Sequence, residues 1–116
     1  MPEINAITLR VTDMATSLRF YESLGLEVIT TFGGPDSPFT SLQFGDNFIN
    51  LTAGEGPPQV GWGRVIFHVP NPDATHEAVR AAGYSTETDP ADALWGERYF
   101  HVRDPDGHEL SFARRL

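Results

Sequence analysis

The sequence predicts an α+β fold made of two βαβββ modules within one domain, and three observations carry that expectation. The chain repeats itself at an offset of 58 residues, pairing Val11 with Val69, Asp13 with Asn71 and Gly25 with Gly83. Each copy opens with an alternating strand that runs into a helix-start signal. Each helix is then followed by three strand-like segments bounded by turn residues.

In the first copy Ile7, Leu9 and Val11 alternate with polar residues, and in the second Val65, Phe67 and Val69 share one face. Each strand therefore turns one side toward a helix. Asp13 offers an N-cap to the first helix; Asn71 caps the second, with Pro72 at the first helical position. Met14, Leu18, Tyr21 and Leu24 recur at helical spacing, as do Ala74, Ala78, Val79 and Ala82, which predicts one apolar stripe per helix. Gly25 and Gly83 end the helices by accepting the left-handed conformation that turns the chain. Strands are expected near 26–32, 38–44 and 48–52, and again near 84–88, 97–103 and 108–113. Hairpin turns fall at Gly45-Asp46-Asn47 and Asp104-Pro105-Asp106-Gly107. Module one is residues 1–52 and module two 64–116, joined by a Gly- and Pro-rich linker at 53–63; together they form a single domain over 1–116.

Composition narrows the function. With no cysteine among 116 residues, thiolate metal sites, disulfides and cysteine nucleophiles are excluded, and a metal would need His, Asp, Glu or Asn. Eight Lys+Arg against sixteen Asp+Glu give a net charge of −8, a field that repels nucleic acid and anionic lipid and attracts cations. No segment approaches the roughly 20 apolar residues of a membrane helix, and Met1-Pro2-Glu3-Ile4 lacks a signal-peptide pattern. A soluble, cytoplasmic protein with neither nucleic-acid nor membrane partners is expected.

Two runs carry a family likeness: Thr12-Asp13-Met14 through Phe20-Tyr21 to Leu24-Gly25-Leu26, and Trp95-Gly96-Glu97-Arg98-Tyr99-Phe100 through Asp104-Pro105-Asp106-Gly107-His108-Glu109-Leu110. With the duplicated βαβββ order, they resemble the vicinal oxygen chelate superfamily of glyoxalases, bleomycin resistance proteins and extradiol dioxygenases. That resemblance implies an open, cup-shaped, eight-stranded mixed sheet and, commonly, a homodimer. Strand parity then sends Arg10, Phe39, Phe48, Asn50, Arg64, Ile66, His68, Tyr99, His101, Arg103, Glu109 and Ser111 into the cup.

By the same resemblance, the metal positions of the family's enzymes fall on Ala6, Asn50, Arg64 and Ser111. Alanine has no donor, arginine is a permanent cation, and serine and asparagine are poor neutral ligands, so no metal or other cofactor is expected there. A displaced set of His68, His101 and Glu109 has legitimate ligand chemistry, but Arg10, Arg64 and Arg103 share that face and repel a cation. His76 and His108 are expected to face solvent.

Without a metal, the chain looks most like the bleomycin-resistance-type proteins, which bind a drug without reacting with it. The resemblance places their ring-stacking phenylalanine at Phe39 and the partnering tryptophan at Ile66, where this chain departs from the pattern. Trp62 or Trp95 could supply the missing ring. Arg64 suits either a ligand oxygen or an ion pair with Glu109. The expected binding set is Arg10, Phe39, Phe48, Asn50, Trp62, Arg64, His68, Trp95, His101, Glu109 and Ser111, and the expected ligand is a planar aromatic, antibiotic-like small molecule. The alternative is a glyoxalase-like lyase or isomerase, or a dioxygenase-type enzyme, with a non-standard site; its acid–base groups would be His68 or His101 with Glu109.

Overall fold

A computed structural model describes residues 2–116. Module one contributes β1 (Ala6–Val11), α1 (Met14–Glu22), β2 (Ile29–Phe32), β3 (Phe39–Phe44) and β4 (Asn47–Ala53). Module two contributes β5 (Arg64–His68), α2 (Pro72–Ala81), β6 (Ala91–Asp92), β7 (Glu97–Arg103) and β8 (Glu109–Arg115). The eight strands form two four-stranded sheets of matching order, β1-β4-β3-β2 and β5-β8-β7-β6. In each sheet the module's first strand pairs parallel with its last, and the other pairs are antiparallel. Among the described residues no ladder joins β1 to β5, so each keeps one free edge. No helix among the described residues is long and apolar enough to cross a membrane.

Local chemistry explains the element ends. The Asp13 carboxylate accepts from the Thr16 N–H at 3.0 Å and from its hydroxyl, and these bonds hold Asp13 below the usual carboxylate range. Asn71 Oδ1 accepts from the Ala74 N–H at 3.2 Å, with Pro72 opening α2. Gly25 and Gly83 follow the helices at φ 71° and 97°, conformations that a side chain would oppose.

Strand alternation delivers the core as expected. Leu9, Val11, Leu42, Ile49 and Leu51 from the first sheet, and Val65, Val69, Phe100, Val102, Leu110 and Phe112 around the second, are buried in one cluster with Met14, Leu18, Tyr21, Leu24 and Val79. Three local expectations are corrected. Helix α1 also buries Phe20, outside its predicted stripe, because Phe20 meets Tyr84 of module two edge-on at 5.0 Å. Helix α2 buries Pro72, Thr75 and Val79, while the small side chains of Ala74 and Ala82 stay exposed. Residues 84–88 form no strand. The Glu87 and Thr88 N–H groups both reach the His101 carbonyl, and the Thr88 hydroxyl takes the His101 N–H that a regular ladder would use. Regular pairing begins at Ala91, after Pro90, which has no N–H to give.

The modules are clasped at the β7–β8 turn. Tyr21 donates its hydroxyl to Asp104 Oδ2 at 2.7 Å, while Asp104 Oδ1 accepts the N–H groups of Asp106 and His108 at 3.0 and 2.9 Å. Asp106 Oδ1 in turn accepts the N–H and hydroxyl of Thr12 at 3.1 and 2.7 Å. His108 is not solvent-facing but 1% exposed. Its Nδ1 accepts from the Trp62 indole at 3.0 Å, which leaves Nε2–H to donate to the Arg10 carbonyl at 2.7 Å. His76 is likewise mostly covered, packing edge-on to Phe100 at 5.0 Å and bonding the Thr86 hydroxyl at 3.0 Å.

Burial pushes the Asp104 carboxyl above its ordinary range, and the Tyr21 hydroxyl opposes that rise by stabilising the ionised form. Tyr21→Phe is therefore expected to cost about 2 kcal/mol at neutral pH, where a buried carboxylate loses its donor. The gap from wild type should narrow as pH falls and Asp104 takes up a proton. Denaturant unfolding at neutral and acidic pH checks both statements; a gap independent of pH would contradict them.

Candidate functional site

The faces turned away from the helices, called the open faces below, carry the expected site residues by strand alternation. On module two, positions 97, 99, 101 and 103 of β7, positions 109 and 111 of β8, and positions 64, 66 and 68 of β5 share this face. Register sets Arg64 beside Glu109, Ile66 beside Ser111, and His101 beside Ser111.

Arg64 is committed to its own sheet. Its guanidinium donates to Glu109 Oε1 at 3.0 Å, to the Leu110 carbonyl at 3.0 Å and to Ser111 Oγ at 3.2 Å, and it lies 4.0 Å from Glu87. Of the two roles open to this arginine, the ion pair with Glu109 is the one observed, between neighbouring strands of one sheet. Arg103 adds bonds to Glu87 at 3.1 Å and approaches Glu109 at 3.8 Å, so two cations and two carboxylates make one network. Ser111 lies under Arg64 and His101 and is 3% exposed. With Arg64 donating to its oxygen, the Ser111 hydroxyl hydrogen is available to His101 Nδ1 at 2.7 Å. Burial first, then the Arg64 charge, push the His101 pKa down, which favours the neutral ring.

His68 bonds Glu97 Oε2 at 2.7 Å, and Trp95 donates its indole N–H to Glu97 Oε1 at 2.9 Å. Those bonds, His68 first, hold Glu97 below the usual carboxylate range. A row of rings runs beside them: Trp95 lies 5.4 Å from Tyr99, and Tyr99 5.0 Å from His101. Trp95 is 69% exposed, so its face is available.

The remaining expected residues lie elsewhere. Asn50 bonds Ser41 at 2.7 Å and Thr8 at 3.4 Å on module one's open face, while Phe39 packs on exposed Phe32 at 6.2 Å. Phe48 meets Arg64, Ile66 and His68 across a cleft of about 780 Å³ between the start of β1 and the free edge of β5. Arg10 and Trp62 line a second cleft of about 450 Å³ along β1 and the linker.

A divalent ion does not fit either proposed position. Ala6, Asn50 and Ser111 offer no charged donor, and Arg64 places a cation among them. His68, His101 and Glu109 are separately committed to Glu97, Ser111 and Arg64, and no group of three His, Asp or Glu side chains among the described residues could hold an ion. Three residues were missing from the expected set. Parity already sends Tyr99 to the open face without its joining the binding set, and Glu97 shares the same β7 parity and was findable on that ground. Glu87 stands in an irregular segment, where alternation gives no guide.

The fold is shared with solved structures. TioX from Micromonospora sp. ML1 is 22% identical with a TM-score of 0.77, covering 99% of this chain and 100% of its own. The virulence protein STM3117 from Salmonella typhimurium is 25% identical with a TM-score of 0.74, covering 100% and 98%. A glyoxalase-related enzyme from Fulvimarina pelagi is 20% identical with a TM-score of 0.79, covering 99% and 89%. No curated protein matches the chain. The model of the Glyoxalase/Bleomycin resistance protein/Dioxygenase superfamily matches residues 3–112, and with its paired βαβββ modules the chain belongs to that superfamily.

Proposed function

We propose that this protein is a metal-independent, cytoplasmic sequestration protein that binds a planar aromatic, antibiotic-like small molecule as a homodimer, without transforming it. The observation that carries this reading is the ring row Trp95–Tyr99–His101 along the open face of β7. Flat ligands gain from such faces because stacked and tilted rings attract beyond the area they bury. Around the row Glu87, Glu97 and Glu109 are matched by Arg64, Arg103 and Arg115, so the local charges balance and it is the chain's net charge of −8 that favours a cationic ring system over an anionic one. His68 contributes an edge of the pocket and Glu97 fixes the indole.

Ile66 is 62% exposed on a strand with a free edge, beside the 780 Å³ cleft; both features support a second copy closing over this face. Since Ile66 occupies the place of the tryptophan in the bleomycin-resistance pattern, the rings come from β7 and its preceding turn instead, which argues for a ligand other than bleomycin. Acid–base catalysis by His68 or His101 with Glu109 has no support in the hydrogen bonds, because Glu109 is engaged by Arg64.

Proflavine, a planar aromatic cation, should raise the melting temperature; a ligand at about a hundred times its dissociation constant adds roughly 2.7 kcal/mol. Trp95→Ala should weaken binding about tenfold while leaving the unliganded melting temperature near wild type, since the indole is mostly exposed. No shift with proflavine or with a panel of planar aromatic natural products, or unimpaired binding by the variant, would sink the reading.

A further inference from the structure

Among the described residues three arginines are half-buried: Arg10, Arg64 and Arg98. Arg64 is paired with Glu109 and Arg98 with Asp73 and Asp92. Arg10 has no carboxylate within 4.0 Å, and its guanidinium makes no hydrogen bond to another described residue. In a chain with twice as many acids as bases, a half-buried arginine without a partner stands out.

Its surroundings are shaped to hold it. The guanidinium lies on the backbone of Gly54, where an added Cβ would sit 2.8 Å from Nε, and its NH2 is 3.8 Å from a Cβ built on Gly56. From there Arg10 lines the 450 Å³ cleft with Thr8, Gln59, Val60 and Trp62. Trp62 is 46% exposed, yet its indole is oriented by the bond to buried His108, which is itself tied to the Arg10 carbonyl. The lining of the cleft thus includes an unpaired guanidinium and an indole oriented by His108, in a volume within the range of small-ligand pockets.

We propose that this cleft is a second small-molecule site, taking an organic carboxylate with a planar apolar body: the carboxylate on Arg10, the body against Trp62 and Val60. Arginine suits that role because its planar fork matches a carboxylate with two parallel bonds. The site lies on module one and the linker, apart from the ring row on β7, and stands or falls independently of it.

The test follows the two indole N–H signals by heteronuclear NMR, assigned with Trp95→Phe, during titration with naphthoate and with naphthamide as its neutral isostere. Naphthoate should shift the Trp62 signal saturably and leave Trp95 in place, while naphthamide binds at least about tenfold more weakly. Arg10→Gln, which removes no internal bond, should abolish the preference for the carboxylate. Gly54→Ala, at a position whose backbone tolerates a side chain, should weaken naphthoate by displacing the guanidinium. Equal affinity for both probes, an unchanged affinity in Arg10→Gln, or a response confined to Trp95 would overturn the proposal. A Trp95 response to proflavine with a silent Trp62 throughout would leave the β7 reading standing and remove this one.

Discussion

The organisation of this molecule depends on one clasp, the Asp104-Pro105-Asp106-Gly107-His108 turn held by groups from the other module and the linker. Tyr21 from α1, Thr12 after β1, Trp62 from the linker and the Arg10 carbonyl all terminate on this turn, spanning sequence separations of 46 to 98 residues. Among the described residues the sheets share no ladder, so the clasp and the common apolar cluster fix one module against the other. A buried carboxylate such as Asp104 is tolerated only because three donors converge on it. The same turn aims Trp62 along β1 and contributes His108 to the smaller cleft.

On module two the charged side chains of the open face are paired with one another. Arg64 and Arg103 meet Glu87 and Glu109, Ser111 is covered, and His101 is driven toward its neutral form by burial and by Arg64. Side chains satisfied by one another in this way make a stable wall and a poor chelate. What the face leaves available is the flat surface of Trp95 and Tyr99.

Much of this was legible in the sequence, for physical reasons. A period of two along each strand fixed which residues face the helices, and Leu9, Leu42, Leu51, Phe100 and Leu110 are buried accordingly. Capping chemistry marked both helix starts, since Asp13 and Asn71 act within three residues of themselves. The failures are non-local. His108 follows a turn and reads as exposed, yet a tryptophan 46 residues away and a carbonyl 98 residues away bury it. Glu87 joins the arginine network from an irregular segment that Pro90 keeps out of the ladder. Alternation named Arg10 and Arg64 equally as open-face cations, but only long-range geometry distinguishes the paired one from the unpaired one.

The superfamily fold is retained here around a face whose donors are spent on one another, which leaves none to hold a metal. Elemental analysis after equilibrium dialysis of the protein against nickel, zinc, manganese and ferrous salts tests it most directly. Substoichiometric metal is expected for every ion, in wild type and in His68→Ala and Glu109→Gln alike. Retention of about one ion per chain by the wild type, lost in either variant, would contradict it.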